Sequence, residues 1–258
     1  MTSGPVRIVS PRRGRPAPRG TVLCVPHAGA GASVYNGWRH ELPGLRVAAV
    51  QPPGREDRFR EPPPLGLVEL AATIVAGLED LARYPLVLFG HSMGAIVAYE
   101  VCRLMAAVGM PAPVLLAASG HPPPTLMNGE VLAASEADLV DYLTRMGGAH
   151  LDEVLADPEW RQMLLGTLRA DLDMYAGYRH HAEPVNPTPV VTFAGHDDEM
   201  AAPADMRAWA PLSPTPLRQY AYPGGHFFVQ TARDLVLADL RTEIDRVLAA
   251  CTAVGSEP

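Results

Sequence analysis

The sequence predicts an α/β fold: a mostly parallel central sheet flanked by helices, with a helical insertion near its middle. Three observations predict it. Short apolar runs alternate with segments of helical period, up to residue 119 and again from residue 189. The pentapeptide Gly90-His91-Ser92-Met93-Gly94 joins one such run directly to a helix, as a serine held on a tight strand-to-helix turn requires. Residues 120–188 then hold helical patterns with no strand between them, far more chain than a connection needs.

Composition narrows the function. The chain has 258 residues, which suits one sizeable domain spanning 1–258 better than two small ones. All 21 basic residues are arginine, so Schiff-base chemistry, a lysine general base and a lysine-bearing phosphate loop are excluded. A net charge of −7 argues against nucleic acid as a partner. No apolar run reaches the length of a membrane span, and the N-terminus lacks a signal-peptide core, so a cytoplasmic protein is expected. Cys24, Cys102 and Cys251 are odd in number and far apart, and read as reduced thiols rather than a disulfide frame or metal site.

Taken in order, Val6 to Val9 is a possible first strand, and the Pro/Arg/Gly-rich Pro11 to Gly20 reads as a turn or arm. Thr21 to Pro26 is a strand running into His27-Ala-Gly-Ala-Gly31. A glycine-rich loop in that position can bring bare N–H groups to a ligand. A dinucleotide fingerprint fails there, because the third glycine and the later acidic residue are missing. A plain tight turn is the other alternative. Ser33 is an expected N-cap of the short helix that follows. Leu45 to Gln51 is the next strand. Its loop carries Arg55, Arg58 and Arg60 among acidic residues, either as a solvated loop or as a docking cluster for an acidic partner. Leu67, Leu70, Ala71, Ile74, Leu78 and Leu81 recur at helical spacing and predict one buried face.

Leu86 to Phe89 is the strand before Ser92, Ala95 to Ala107 its helix, and Pro113 to Ser119 the next strand. In the insertion, Ser135 and Asp138 make a capping box, and Glu159 to Tyr178 reads as a long helix. Met127, Leu132, Met146, Leu155, Met163 and Met174 read mostly as core, with some lining an apolar tunnel where flexible methionine tolerates varied chains. Pro189 to Ala194 and Leu217 to Tyr222 are the last strands, ending in Gly195-His-Asp-Asp-Glu199 and Pro223-Gly-Gly-His226. A terminal helix covers Asp234 to Ala250.

Sites in parallel sheets lie beyond the carboxyl ends of the strands. Ser92, the Asp197/Asp198/Glu199 trio and His226 all fall there, in the order nucleophile, acid, base. A serine hydroxyl needs a base, itself oriented by a third group. Of nine histidines, His226 alone follows the last strand; His91 sits inside the turn and reads as structural, and His150, His180, His181 and His196 are misplaced. Periodicity does not choose among the three acids. In hydrolases of this kind the glycine-rich loop and the residue after the nucleophile each supply one oxyanion N–H, here Ala28 and Met93.

Pro26-His-Ala-Gly, Gln51-Pro-Pro-Gly-Arg55, Gly90-His-Ser-Met-Gly-Ala95, Ala170-Asp-Leu-Asp-Met-Tyr175, Gly195-x-x-Asp198 and Gly225-His-Phe227, in that order, resemble one family. It is the type II, stand-alone thioesterases that accompany polyketide and non-ribosomal peptide synthases. The resemblance spans nearly the whole chain. It implies an α/β-hydrolase fold with residues 120–188 as a helical lid, and Asp198 as the acid. It also implies hydrolysis of acyl groups from the phosphopantetheine thiol of acyl or peptidyl carrier domains, with no metal or soluble cofactor. The opening Met and the lack of a carrier-type serine motif favour a free-standing protein, and a monomer is expected. Two positions depart from the family pattern: Gly31 in the glycine-rich loop, and Glu199 where a proline usually follows the acid. An esterase or acyltransferase acting on free small esters or acyl-CoA is the alternative.

Overall fold

The computed structural model describes residues 6–8, 17–127, 135–146 and 151–254. Its strands are β1 (Val6–Ile8), β2 (Thr21–Val25), β3 (Arg46–Val50), β4 (Leu86–His91), β5 (Leu115–Ser119), β6 (Val190–Gly195) and β7 (Arg218–Tyr222). They form one sheet in the order β1-β3-β2-β4-β5-β6-β7. Among the described residues only the β1–β3 pair is antiparallel. The helices are α1 (Trp38–Glu41), α2 (Leu67–Ala76), α3 (Met93–Ala107), α4 (Glu136–Met146), α5 (Leu151–Ala156), α6 (Pro158–Gly177), α7 (Phe228–Thr231) and α8 (Arg233–Val254).

The period-2 rule divides the core in two. Leu23, Val25, Leu86 and Leu88 face one layer with α2, α3 and residues of α4 and α6. Val22, Cys24, Val87 and Phe89 face the other, which holds Trp38 and the apolar side of α8. Every residue of β4 is buried, which explains why its sequence runs apolar instead of alternating. Cys24 and Cys102 are buried free thiols and Cys251 is exposed.

The strand order contains one reversal that matters for function. From β2 the chain steps outward to β3, then returns past β2 to β4 on its other side. The loops leaving β2 and β4 therefore diverge, opening a crevice at their carboxyl ends. Between β5 and β6 lie only a 3-10 turn (Pro124–Leu126) and helices α4, α5 and α6 among the described residues. Ser135 N–H and Oγ both donate to Asp138, whose own N–H returns to Ser135 Oγ at 3.2 Å, so the capping box forms at α4.

Several elements differ from expectation. The helix after Ser92 starts at Met93, two residues early, because the turn leads straight into it. The helix from Leu67 ends at Gly77, and Leu78 and Leu81 complete the same buried face from successive turns. Ser33 is not an N-cap. It lies within a 3-10 turn (Ala32–Tyr35), and its hydroxyl donates to Glu56 at 2.6 Å. Of the expected core residues of the insertion, Met174 is buried, Leu155 is half-buried and Met163 is exposed. Leu132 and the Met146 side chain lie outside what is described, as do residues 9–16 of the arginine-rich arm and His150.

Candidate active site

Ser92 sits at the reversal with φ 54° and ψ −127°, a backbone conformation that non-glycine residues rarely adopt. Its neighbours make the turn possible. A Cβ on Gly90 would collide with the Gly94 carbonyl, and one on Gly94 would meet the carbonyl oxygens of Val25 and, at 2.7 Å, Pro26. Both positions therefore demand glycine. The Ser92 N–H donates to Ser119 O at 2.8 Å, and its carbonyl accepts from Ala95, which fixes the turn to β5 on one side and α3 on the other.

Asp198 and His226 arrive from the ends of β6 and β7. His226 Nδ1 donates to Asp198 Oδ2 at 2.9 Å, and Asp198 Oδ1 accepts from the N–H groups of Met200 (3.0 Å) and Ala201 (3.2 Å). Three donors thus hold one buried carboxylate in a fixed orientation. Asp197 and Glu199 are exposed, so of the three neighbouring acids it is Asp198 that meets the imidazole. His226 Nε2 is buried and has no hydrogen-bond partner among the described residues. It faces a cavity of about 220 Å³ that Ser92 also lines.

Ala28 and Met93 line the same cavity, on either side of the reversal between β2 and β4. No described residue accepts from either N–H. Met93 opens α3, whose fifteen residues direct their amide dipoles at this spot. Two amides without a described acceptor, on the cavity wall beside a serine, are the kind of group that can hold a developing negative charge.

Other histidines crowd the site without competing for the base role. His91 Nδ1 bonds Ser119 Oγ at 2.9 Å, and its ring centroid lies 5.1 Å from that of His226. Burial pushes its pKa well down, aided by His226 and His27. Burial likewise lowers His27 and His121 to about 4 each. All three are neutral at pH 7.

Of the three arginines read either as a solvated loop or as a docking cluster, two are engaged within the protein. Arg55 is buried, and its NH1 and NH2 reach Asp171 Oδ2 and Oδ1 at 2.5 and 2.6 Å. Its NH1 also donates to Ala30 O at 3.1 Å, and Asp171 Oδ2 accepts the Gly29 N–H at 2.7 Å. The glycine-rich loop is thereby tied to α6 through a bidentate ion pair that spans 116 positions of sequence. Arg58 is engaged by Glu61 and the Gln51 carbonyl, and only Arg60 is exposed, stacked over Phe59. The sequence signal for Asp171 was an acid among Leu165, Leu168 and Leu172 on the buried face of α6, where a charge requires a partner.

Comparison with known proteins places these features in context. Residues 20–244 match the family model described as thioesterase domain. Thioesterase PikA5 of Streptomyces venezuelae is 32% identical over 89% of this chain and 84% of its own length. The solved RedJ thioesterase from the prodiginine biosynthetic pathway of Streptomyces coelicolor is 33% identical, with a TM-score of 0.81 over 88% of this chain and 86% of that one. The type II thioesterase BorB, from the borrelidin biosynthetic cluster, is also 33% identical, with a TM-score of 0.80 over 96% of this chain and all of that one.

Proposed function

The chain belongs to the thioesterase domain family, and from that premise we propose that it is a type II thioesterase that hydrolyses acyl groups from the phosphopantetheine thiols of carrier domains in polyketide or peptide assembly. The observation that carries the reading is the 2.9 Å bond between Asp198 and His226 beside Ser92, in one cavity with the Ala28 and Met93 amides. In this reading the carboxylate keeps the proton on Nδ1, leaving Nε2 as the base. Ser92 Oγ attacks the thioester carbonyl while Nε2 takes its proton. The oxyanion is held by the two amides and the start of α3, worth ~3 kcal/mol per well-aimed donor. Collapse breaks the C–S bond, and the carrier thiol departs with the proton from His226. Water, deprotonated by the same nitrogen, then attacks the acyl-serine and returns the free acid. The pantetheine belongs to the substrate, and side chains and backbone amides supply every step.

Residues 120–188 act in this reading as a lid over a single catalytic domain, with α4 and α6 roofing Ser92. Support for it comes from the cavity wall, where Met127, Tyr142, Leu172 and Tyr175 meet Ser92 and His226. A thin pantetheine arm suits such a covered site better than a bulky ester. No helix among the described residues is long and apolar enough to cross a membrane. The chain acts as a monomer in the cytoplasm in this proposal.

The test compares one acyl group on a carrier domain and on N-acetylcysteamine. Binding remote from the reacting bond raises kcat/KM for the carrier by more than ~10-fold, about 1.4 kcal/mol. Equal values would mean that the carrier is not recognised, and a general hydrolase of small thioesters or esters would take its place.

A further inference from the structure

The cavity beside Ser92 contains a polar feature that the reaction above does not use. Tyr142, on α4, lines it and is 8% exposed, yet its hydroxyl has no hydrogen-bond partner among the described residues. The hydroxyl oxygen is not sealed inside the protein, so a molecule bound in the cavity can reach it and supply the partner, a hydrogen bond worth about 1 kcal/mol.

A second hydroxyl lines the same wall. Tyr175, on α6, lies 2.9 Å from His121 Nε2, while His121 Nδ1 lies 2.5 Å from the Pro122 carbonyl. A carbonyl only accepts, so Nδ1 carries the imidazole proton and Nε2 is left as an acceptor. His121 is neutral at pH 7, its pKa held near 4 by burial. The Tyr175 hydroxyl must therefore donate to Nε2, which spends its proton and leaves its oxygen, on the cavity wall, able only to accept. Burial and the neighbouring Tyr175 push the Tyr142 pKa well up, so that Tyr142 keeps its own proton. One wall thus offers a free donor and a free acceptor.

The rest of the lining is largely apolar, with Leu126, Met127, Leu172 and Met200 among it. No arginine lines it among the described residues, and the exposed acid Asp205 stands at its edge. An acyl group ending in a carboxylate would find no counter-ion and one like charge.

On the thioesterase reading, we propose that the acyl pocket is built for an uncharged acyl group bearing a hydroxyl, which accepts from Tyr142 and donates to Tyr175. A hydroxyl satisfies both groups at once. A ketone satisfies only the donor, and a plain alkyl chain neither.

The experiment measures kcat/KM of wild type and Tyr142→Phe on pantetheine thioesters of butanoate, its 2-, 3- and 4-hydroxy derivatives, and 3-oxobutanoate. The same panel is repeated on N-acetylcysteamine. At least one hydroxyacyl substrate should exceed butanoyl by about tenfold in wild type, the value of one or two neutral hydrogen bonds. 3-Oxobutanoyl should fall between them. In Tyr142→Phe, checked for an unchanged thermal midpoint, the ratio of hydroxyacyl to butanoyl should fall to within about twofold of unity. The preference should persist on N-acetylcysteamine; if it needs pantetheine, the arm and not the acyl chain is being read, and the proposal fails. It is equally overturned if wild type shows no preference, or if the ratio is the same in both proteins. Hydrolysis of none of the thioesters by wild type would instead remove the thioesterase reading, and this inference with it.

Discussion

Removing Asp171 should be among the most damaging single changes outside the reacting groups. The carboxylate is fully buried, its partner Arg55 is 5% exposed, and the two share a fork of bonds at 2.5 and 2.6 Å. In Asp171→Ala the guanidinium keeps its charge but loses its counter-ion in a place water does not readily reach. Breaking such a pair from one side costs about 3–5 kcal/mol. The Gly29 N–H also loses its acceptor, adding roughly 1 kcal/mol. Against a typical total stability of about 5–15 kcal/mol, a loss of about 4–6 kcal/mol leaves a marginal protein. Urea unfolding measures it as a lower midpoint at an unchanged slope. The pair is expensive mainly when half of it remains, so Arg55→Met combined with Asp171→Leu should be less destabilised than the sum of the two single changes by at least ~2 kcal/mol. A single-variant loss below ~1 kcal/mol, or simple additivity, would refute the claim that this is a buried, mutually dependent pair.

Two further outcomes follow from the site. Asp198→Asn should lower kcat by ~10³-fold or more, because the amide no longer fixes the imidazole tautomer, while Asp197→Asn should stay within about twofold of wild type; a crippled Asp197 variant would shift the acid by one residue. Stability should also fall as pH drops from about 6.5 towards 4. His27 and His121 have folded pKa values near 4 and His91 is well below its ordinary 6.5, so across that window the unfolded chain binds protons that the folded one refuses. Each histidine that titrates only on unfolding contributes up to about 1.4 kcal/mol per pH unit. Equal denaturation midpoints at pH 7 and pH 5 would contradict it.

The chemistry was legible in the sequence where it is local. Strand, Gly-x-Ser-x-Gly and helix are contiguous, so steric rules alone predict the turn at Ser92. Asp198 and His226 follow strand ends, which parallel topology gathers at one rim. What was not legible depends on contacts between distant segments. Arg55 and Asp171 were visible separately, in Gln51-Pro-Pro-Gly-Arg55 and Ala170-Asp-Leu-Asp-Met-Tyr175, but nothing in either stretch says that they meet. A loop arginine among acids reads as solvated until the packing of α6 over it is known. Ser33 had the right chemistry for a cap, yet Glu56 from the next loop took its hydroxyl. Likewise, nothing in the stretches that carry Tyr142 and Tyr175 says that α4 and α6 bring both to the cavity beside Ser92.

The backbone at Ser92 has a consequence for how this protein could change over generations. A non-glycine residue held at φ 54° and ψ −127° carries roughly 1–3 kcal/mol of conformational cost. Glycine at the same position would escape most of it, and the protein would fold more firmly for the exchange. Selection or screening on solubility and heat resistance alone would therefore drift towards Ser92→Gly, an inert molecule with a better-behaved fold. Only continuous demand for turnover keeps a side chain at that point of the chain.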